Sequence, residues 1–331
     1  MRYISAICLS LAMTMAGSVN VMAQGDSDPG MSTLGALRNS PALMIGDEDN
    51  ENMRGHFSLG HTFAKGERDI VLNIPQVEVR IPLKGWTTEG YFDVKLPIYS
   101  AKGELWDAWG VGDLSISYTH MFPGIQDWLI QTTLGTKIGL TTADLNDGQT
   151  RSLPMSYQNS LGSTDAILGV SATWKQYFTA AVGYQQPVYR YNENGYQASD
   201  PINDLSYSRN DYTVSSKLHR QGDLMARLEG HYGGKRAGIS GGGLAFYHLA
   251  NDLYTDRAGY VREINGSSGL TVNLQTNIYI RLGRYGSYKF DLSGSVPVVE
   301  RDVKPDGLGR SWMLMPRFTY FFANNNTAIL F

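Results

Sequence analysis

The chain of 331 residues contains a single cysteine, Cys8, which lies within its first 23 residues. Those residues have the pattern of a secretory signal peptide. Arg2 gives a positive start, Ile4–Ala16 is apolar, and small residues precede a cleavage site near Ala23. The apolar run is too short to span a bilayer as a helix. After cleavage the chain would hold no cysteine, which excludes disulfides, thiol catalysis and cysteine-ligated metals.

Several other familiar signals are missing. No later stretch of about 18 apolar residues could form a transmembrane helix. The net charge is -3 with no basic stripe, which argues against nucleic acid as a partner. The sequence has no zinc signature, phosphate-binding loop, dinucleotide loop or paired-carboxylate motif. The histidines are scattered without metal-ligand spacing, so we expect no metal and no cofactor: His56, His61, His120, His219, His231 and His248.

What the chain does have is strict alternation. In Leu270–Leu282 apolar side chains take every second position, while polar or tyrosine side chains take the others. A β-strand turns successive side chains to opposite faces, so one face is apolar and the other polar. Such a segment is long enough for a tilted strand across a bilayer, which needs roughly 9–11 residues. The 20 tyrosines, 6 tryptophans and 37 glycines suit a membrane barrel with aromatic girdles.

The pattern predicts an all-β fold, a single antiparallel transmembrane β-barrel of about 12 strands, of the bacterial outer-membrane type, with 14 strands as second choice. A soluble sandwich or periplasmic propeller is the alternative, since it also alternates. The predicted strands are Met53–Phe63, Asp69–Leu83, Glu89–Ile98, Trp109–Phe122, Trp128–Leu140, Ser160–Trp174, Tyr177–Gln185, Asp211–Leu218, Leu224–Tyr232, Leu270–Leu282, Tyr288–Val298 and Ser311–Phe322.

The predicted connections alternate in length, as in outer-membrane barrels with short periplasmic turns and longer outer loops. Gly238–His248 has some strand character, but a strand there would place a long loop in the periplasm, so we assign it to an outer loop. The predicted domains are a signal peptide (1–23), an N-terminal periplasmic segment that could plug the barrel (24–52) and the barrel (53–331). Short turns are predicted at 84–86, 123–127, 175–176, 220–223 and 283–286, and long loops at 99–108, 141–160, 191–208, 233–267 and 299–309.

Two strand starts carry a family resemblance. The segment Trp109–Tyr118 (WGVGDLSISY) and the segment Leu161–Gly169 (LGSTDAILG) resemble recurring strands of outer-membrane transporters linked to meta-pathway phenol degradation. This resemblance implies passive movement of small, hydrophobic or aromatic compounds. Arg38–Leu43 resembles, more weakly, an element in the N-terminal hatch of long-chain fatty-acid channels, although a surface turn explains the same residues.

Two hypotheses concern the inward face. His56 and Ser58 have the spacing that outer-membrane phospholipases use, but the apolar Phe57 and Leu59 would turn both inward, away from lipid, so we expect no enzyme. The inward polar residues either pair across strands and brace the lumen or line a selective pore. These candidates are Glu78, Arg80, Asp93, Lys95, Asp113, Lys137, Asp165, Lys217, Arg227, Glu229, Asn273, Gln275, Asn277, Arg281, Lys289 and Asp291.

The sequence therefore predicts a channel in the bacterial outer membrane for passive movement of small, hydrophobic or aromatic solutes. The alternatives are a closed barrel that acts through its outer loops and, third, a lipid hydrolase. The expected partners are outer-membrane lipid, a small-molecule solute and the barrel assembly machinery. The last of these would recognise the C-terminal strand, because Phe331 ends the chain as in bacterial barrels.

Overall fold

The structure is a computed structural model, and it describes residues 30–38, 54–84, 89–125, 127–197, 212–234, 236–283, 286–322 and 329–330. The predicted signal peptide and most of the segment 24–52 lie outside these ranges. Within these ranges, no helix is both long and apolar enough to cross a membrane.

The described residues form sixteen strands. In chain order they are β1 (His56–Gly66), β2 (Val71–Lys84), β3 (Glu89–Lys102), β4 (Asp107–Val111), β5 (Leu114–Ile125), β6 (Trp128–Ile138), β7 (Ser163–Trp174), β8 (Phe178–Arg190), β9 (Asp223–Gly233), β10 (Ala237–His248), β11 (Leu253–Thr255), β12 (Val261–Glu263), β13 (Gly269–Leu282), β14 (Tyr288–Val299), β15 (Arg310–Phe321) and β16 (Ile329–Leu330).

Twelve of these strands close into one antiparallel barrel. The wall consists of β1–β3, β5–β10 and β13–β15, each paired with the next, and β15 pairs back onto β1. Of the other four, β4 pairs antiparallel with the outer end of β3, β11 pairs with β12 in an outer connection, and β16 pairs parallel with the end of β2. The predicted twelve-stranded antiparallel barrel is confirmed.

The alternation of the sequence becomes the two faces of the wall. On β7, Asp165 and Ile167 are fully buried inside, while the outward Leu168 is 53% exposed. The same contrast runs along β13, where the predicted apolar face points outward. So many exposed apolar side chains would be unfavourable in water, but they suit the hydrocarbon of a bilayer. Exposed aromatic rings lie at both ends of this belt, as at membrane interfaces. At the end that holds the start of β1 they are Trp128, Trp174, Tyr177 and Tyr232, and at the outer end they are Trp109, Tyr189, Tyr247 and Trp312.

One predicted strand is wrong and another was missed. Residues 212–218 form no strand, whereas β10 covers the segment assigned to an outer loop. On β10 the outward positions include Gly241 and Gly243, while the apolar Leu244 and Phe246 point inward and are buried. This arrangement reverses the usual pattern of a membrane strand. Because of this reversal, the alternation did not indicate a membrane strand. The predicted number of strands is right, but one predicted strand does not form and β10 takes its place.

Because β10 is a strand and residues 212–218 are not, some of the predicted connections also differ from the structure. The turn predicted at 220–223 and the loops predicted at 191–208 and 233–267 are wrong. The connection between β8 and β9 spans residues 191–222, of which the structure describes 191–197 and 212–222, and a short connection joins β9 to β10. Apart from the tight connection between β1 and β2, which lies at the other end, the short connections lie at the end of the barrel that holds the start of β1. The long ones lie at the other end, at 103–113, 139–162, 191–222, 249–268 and 300–309.

The long connections pack against one another above the barrel. Leu153 and Tyr157 meet Tyr196 and Tyr212 and the upper interior of the wall in one apolar cluster. A second cluster joins three connections through Ala143, Met155, Leu218 and Ile264. These clusters explain the apolar spacing of 212–218, because its apolar side chains fill loop contacts instead of facing lipid.

Candidate functional site in the barrel interior

Residues 30–38 lie inside the barrel. They form two single 3-10 turns, Met31–Thr33 and Gly35–Leu37, and each is preceded or opened by a glycine with positive φ. The apolar side chains of Met31, Leu34 and Leu37 are buried. They pack against inward residues of β7 to β10, which are Ile167, Ala181, Met225, Leu244 and Phe246. This segment, called the inner segment below, explains why β10 carries apolar side chains toward the lumen.

The wall is shaped to receive the inner segment. Gly169 and Gly183 lie opposite each other on β7 and β8, and Leu37 occupies the space that a side chain at either position would need. Gly35 lies so close to Thr119 and Thr133 that a β-carbon there would clash. A glycine is therefore required on both sides of this contact.

Polar contacts hold the same segment. The guanidinium of Arg227 donates to the main-chain carbonyls of Leu37 and Arg38. Arg38 in turn forms a two-bond ion pair with Glu78 on β2, its Nη2 lying 2.9 Å from Oε2. The Nζ of Lys95 donates to Thr33 Oγ1 at 2.6 Å. Three of the charged interior groups thus bind the inner segment as well as bracing the wall.

Further inward charges pair across neighbouring strands. Arg80 makes two hydrogen bonds to Asp93, at 2.7 and 2.8 Å, and its guanidinium lies over the ring of Tyr91. Asp291 lies 3.1 Å from Lys289 Nζ and 3.5 Å from Arg317 Nε. Such pairs fix the register and narrow the lumen, as expected for a barrel of this size.

A larger charged network lies at the outer end of the interior. Asp165 on β7 is its centre: Lys137 Nζ lies 3.7 Å away, and the Nη1 of Arg220 donates at 3.2 Å. Arg220 belongs to the connection 191–222, so this ion pair ties an outer loop to the wall. Arg220 also contacts Asp223 and Asp306. Ionic contacts as well as apolar ones therefore hold the outer connections against the wall.

His248 extends this network to a third connection. Its Nδ1 lies 2.7 Å from Asp223 and its Nε2 lies 2.8 Å from Asp252. Asp306 pairs with Arg301 at 2.5 Å in the connection between β14 and β15. Burial alone would raise the pKa of Asp306, but Arg301 and Arg220 hold that pKa well below its usual range.

Most of the predicted inward residues do lie on the inner face of the wall, and Lys217 does not. Lys217 is exposed in a turn of the outer connection, with φ 45 and its N–H bonded to Asn194. Its assignment is wrong because the strand predicted around it does not exist. The inner-face residues are Glu78, Arg80, Asp93, Lys95, Asp113, Lys137, Asp165, Arg227, Glu229, Asn273, Gln275, Asn277, Arg281, Lys289 and Asp291.

Six further charged or titratable groups inside the barrel or at its outer end were not among the predicted inward residues. Arg38, Arg220, Arg301 and Asp306 sit in segments without periodicity, so no pattern indicated that they would be buried. Arg317 and His248 follow the inward positions of β15 and β10, and strand register could have identified them. Arg38 anchors the inner segment and Arg317 pairs with Asp291 within the wall. The other four join the outer connections to one another or to the wall.

A cavity of about 220 Å³ remains between the inner segment and one side of the wall. Thr33 and Arg38 bound it on one side, and inward residues of β1–β3 and β13–β15 bound it on the other. The connections 139–162 and 300–309 cover it from the outer end through Met155, Leu161 and Leu308, among others. Among the described residues, the inner segment thus fills the β5–β10 side of the interior, and the cavity lies on the opposite side.

His56 and Ser58 do not form a catalytic pair. His56 Nε2 faces Glu78 Oε1 at 3.4 Å, whereas the hydroxyl of Ser58 is hydrogen-bonded to Thr319 on the other side at 2.8 Å. Both are buried inside the barrel, away from the lipid-facing surface. The arrangement gives neither an activated hydroxyl nor access to a lipid ester.

Glu67 lies outside the membrane-spanning strands, in the tight connection between β1 and β2. Burial raises the pKa of Glu67 to about 7, although Lys304 opposes the shift. A carboxyl whose folded-state pKa exceeds its unfolded value favours folding most when protonated. This contribution is complete below about pH 4.5 and is lost as the pH rises through about 7.

We therefore expect Glu67→Gln to be more stable than the wild type at pH 8 and nearly equal to it at pH 5. Glutamine keeps the shape of the side chain without the buried charge. The measurement is the urea midpoint of protein folded into lipid vesicles, followed by tryptophan fluorescence at both pH values. Glu263→Gln on the exposed β12 is the control and should shift neither midpoint. Equal midpoints for wild type and Glu67→Gln at pH 8 would contradict the prediction.

Comparisons with known proteins concern the fold. No family model matches the chain, and no curated protein matches its sequence. An outer membrane channel from Pseudomonas putida F1 is similar in structure, with a TM-score of 0.58 at 13% identity, over 84% of this chain and 98% of that one. The NanC porin gives 0.43 at 8% identity, over 81% and 100% of the two chains.

The translocator domain of the autotransporter NalP from Neisseria meningitidis gives a TM-score of 0.42 at 10% identity, over 83% of this chain and 90% of that one. The NanC and NalP scores are too low to support an argument. The first similarity agrees with the closed antiparallel wall and its apolar outer belt. The chain therefore has the fold of an outer-membrane β-barrel.

Proposed function

We propose that this protein is an outer-membrane channel for the passive movement of small solutes, with the inner segment narrowing its lumen. The observation that carries the proposal is the cavity between the inner segment and the wall, because it is space inside a closed barrel that the described residues do not fill. The apolar belt supports a wall that lies in lipid, and the cavity lies inside this wall, where a solute that crosses the membrane would pass.

The finer proposal is that the solutes are small and partly apolar or aromatic. Met155, Met313 and Met315 line the cavity, and thioether side chains adapt to apolar ligands of varied shape. The resemblance to transporters linked to phenol degradation supports the same class. We further propose export with cleavage near Ala23 and insertion by the barrel assembly machinery through the C-terminal strand.

Flux measurements test this function. Purified full-length protein in liposomes should let small neutral and aromatic solutes enter, observed as swelling, while large sugars remain excluded. Liposomes without protein give the baseline. Absence of flux for every solute would favour the alternative, a closed barrel that acts through its loops. The loop clusters and ionic contacts over the outer mouth are the observation behind that second candidate.

A further inference from the structure

The charges that line the cavity are unbalanced. Five lining residues are basic and three are acidic: Arg38, Lys95, Lys137, Arg310 and Arg317 against Glu78, Asp113 and Asp306. Each acid already has a basic partner. Glu78 pairs with Arg38, Asp113 lies 3.2 Å from Lys137, and Asp306 binds Arg301. Among the basic residues, Arg317 also has a partner, Asp291, which lies outside the lining at 3.5 Å. The lining has more basic than acidic residues, and Arg310 contributes to this excess.

Arg310 is the basic residue without a counter-charge. It opens β15 at the outer end of the cavity, it is partly buried, and its Nε is buried without a hydrogen-bond partner. No carboxylate in the described part of the chain forms an ion pair with it. A guanidinium stays charged at any pH that a protein meets, and its planar fork fits a carboxylate through two parallel hydrogen bonds.

The wall below Arg310 is mixed in character. Gln275, Ser295 and Met313 lie side by side on β13, β14 and β15, and Asn277, Ser293 and Met315 form the next row down. The Oγ of Ser295 is buried and without a partner among the described residues. Each row thus offers hydroxyl or amide groups next to a thioether. A ligand that lies along this wall would meet polar groups and an apolar surface together.

We propose that the cavity is a binding site for a small organic acid, with its carboxylate on Arg310 and its apolar part against Met313 and Met315. This inference rests on the proposed function only in that the bound acid would be a transported solute. The site itself follows from the unpaired guanidinium, the positive balance of the lining and the methionine wall. A neutral compound of the same shape gains no countercharge from Arg310 and binds more weakly.

The test is calorimetric titration of the full-length protein in detergent micelles with benzoate, acetate and benzyl alcohol, after subtraction of titrations into micelles alone. Benzoate should bind most tightly. Acetate lacks the apolar part and benzyl alcohol lacks the charge, so both should bind more weakly. Arg310→Met replaces the guanidinium with a shorter, uncharged thioether and should weaken benzoate binding about ten- to a hundredfold, which is the effect of losing a hydrogen-bonded charge.

Arg310→Lys should retain part of the affinity, and Arg262→Met in the exposed β12 should retain all of it. Heat-modifiable migration on gels verifies that each variant is folded. Benzoate affinity that is unchanged in Arg310→Met, or no better than that of benzyl alcohol in the wild type, would overturn the proposal. Benzoate binding without flux in liposomes would instead count against the channel and leave the site standing.

Discussion

Replacing Leu34 and Leu37 together by serine should release the inner segment from the wall and raise the single-channel conductance several-fold. Both side chains are almost completely buried, at 1% and 0% exposure. Burying one such side chain contributes about 1.5–3 kcal/mol, so the double variant loses about 3–6 kcal/mol of docking energy. That loss shifts the docking equilibrium by roughly two to four powers of ten.

A labelling experiment separates release of the segment from flux. The only cysteine of the chain lies in the predicted signal peptide, so Ser32→Cys would introduce the one reactive thiol of the exported protein. Ser32 is 8% exposed. A maleimide reagent should therefore react slowly in the otherwise wild-type protein. In the background of the two serine substitutions, the same thiol should react much faster.

The matched control is Leu249→Ser with Val261→Ser. Both side chains are exposed in the outer connection 249–268, so their loss should change neither the labelling rate nor the conductance. Unchanged labelling in the inner-segment variant would show that the polar anchors at Arg227 and Glu78 hold the segment alone. Faster labelling without a higher conductance would show that another constriction limits flow. The packed outer loops would then be the place to look.

The parts of the fold that follow from local patterning were predictable. The alternation of β13 needed no tertiary information, because the lipid outside and the polar interior impose it residue by residue. β10 was not predicted as a strand because its apolar Leu244 and Phe246 point inward, where they contact the inner segment. Its outward positions include glycines, which add no apolar side chain to the pattern. A chain that fills the lumen thus changes the pattern of the strands that it touches, and only the structure reveals which ones.

The same reasoning explains which site residues were found. Glu78 and Asp93 were predicted to point inward from strand period alone. Their partners differ in kind. Asp93 pairs with Arg80, 13 residues away on the neighbouring strand, whereas Glu78 pairs with Arg38, 40 residues away in a segment without periodicity. Contacts of the second kind depend on how loops and the inner segment fold back. The alternation within a strand carries no information about contacts between segments that are distant in the sequence, so Arg220 and Asp306 were also missed.

Asp165→Asn should cost about 3–5 kcal/mol of unfolding free energy, the penalty for removing one member of a buried ionic cluster. The carboxylate of Asp165 is completely buried and accepts hydrogen bonds from Ser163, Gln185 and Arg220. Asparagine keeps the shape of the side chain but leaves Lys137 and Arg220 with less compensation. Urea unfolding of the protein in lipid vesicles, monitored by tryptophan fluorescence, gives the difference.

Asp127→Asn provides the control for this prediction. Asp127 and Lys175 form an ion pair of 3.4 Å in the short turns, but their side chains are 57% and 44% exposed. An exposed pair of this kind contributes at most about 1 kcal/mol, so the same substitution should have little effect there. A loss at Asp165 as small as that at Asp127 would mean that Asp113, Asp223 and Asp306 already compensate Lys137 and Arg220.

The effect of Asp165→Asn should also reach the outer mouth, because Arg220 connects this carboxylate to the loop of residues 191–222. If the ionic cluster holds that loop down, the variant should show faster protease cleavage within 191–222 at urea concentrations far below global unfolding. Asp127→Asn, whose charge lies at the opposite end of the barrel, should not show this cleavage. Local opening at the outer end and global destabilisation would then have one cause, the buried charge on β7.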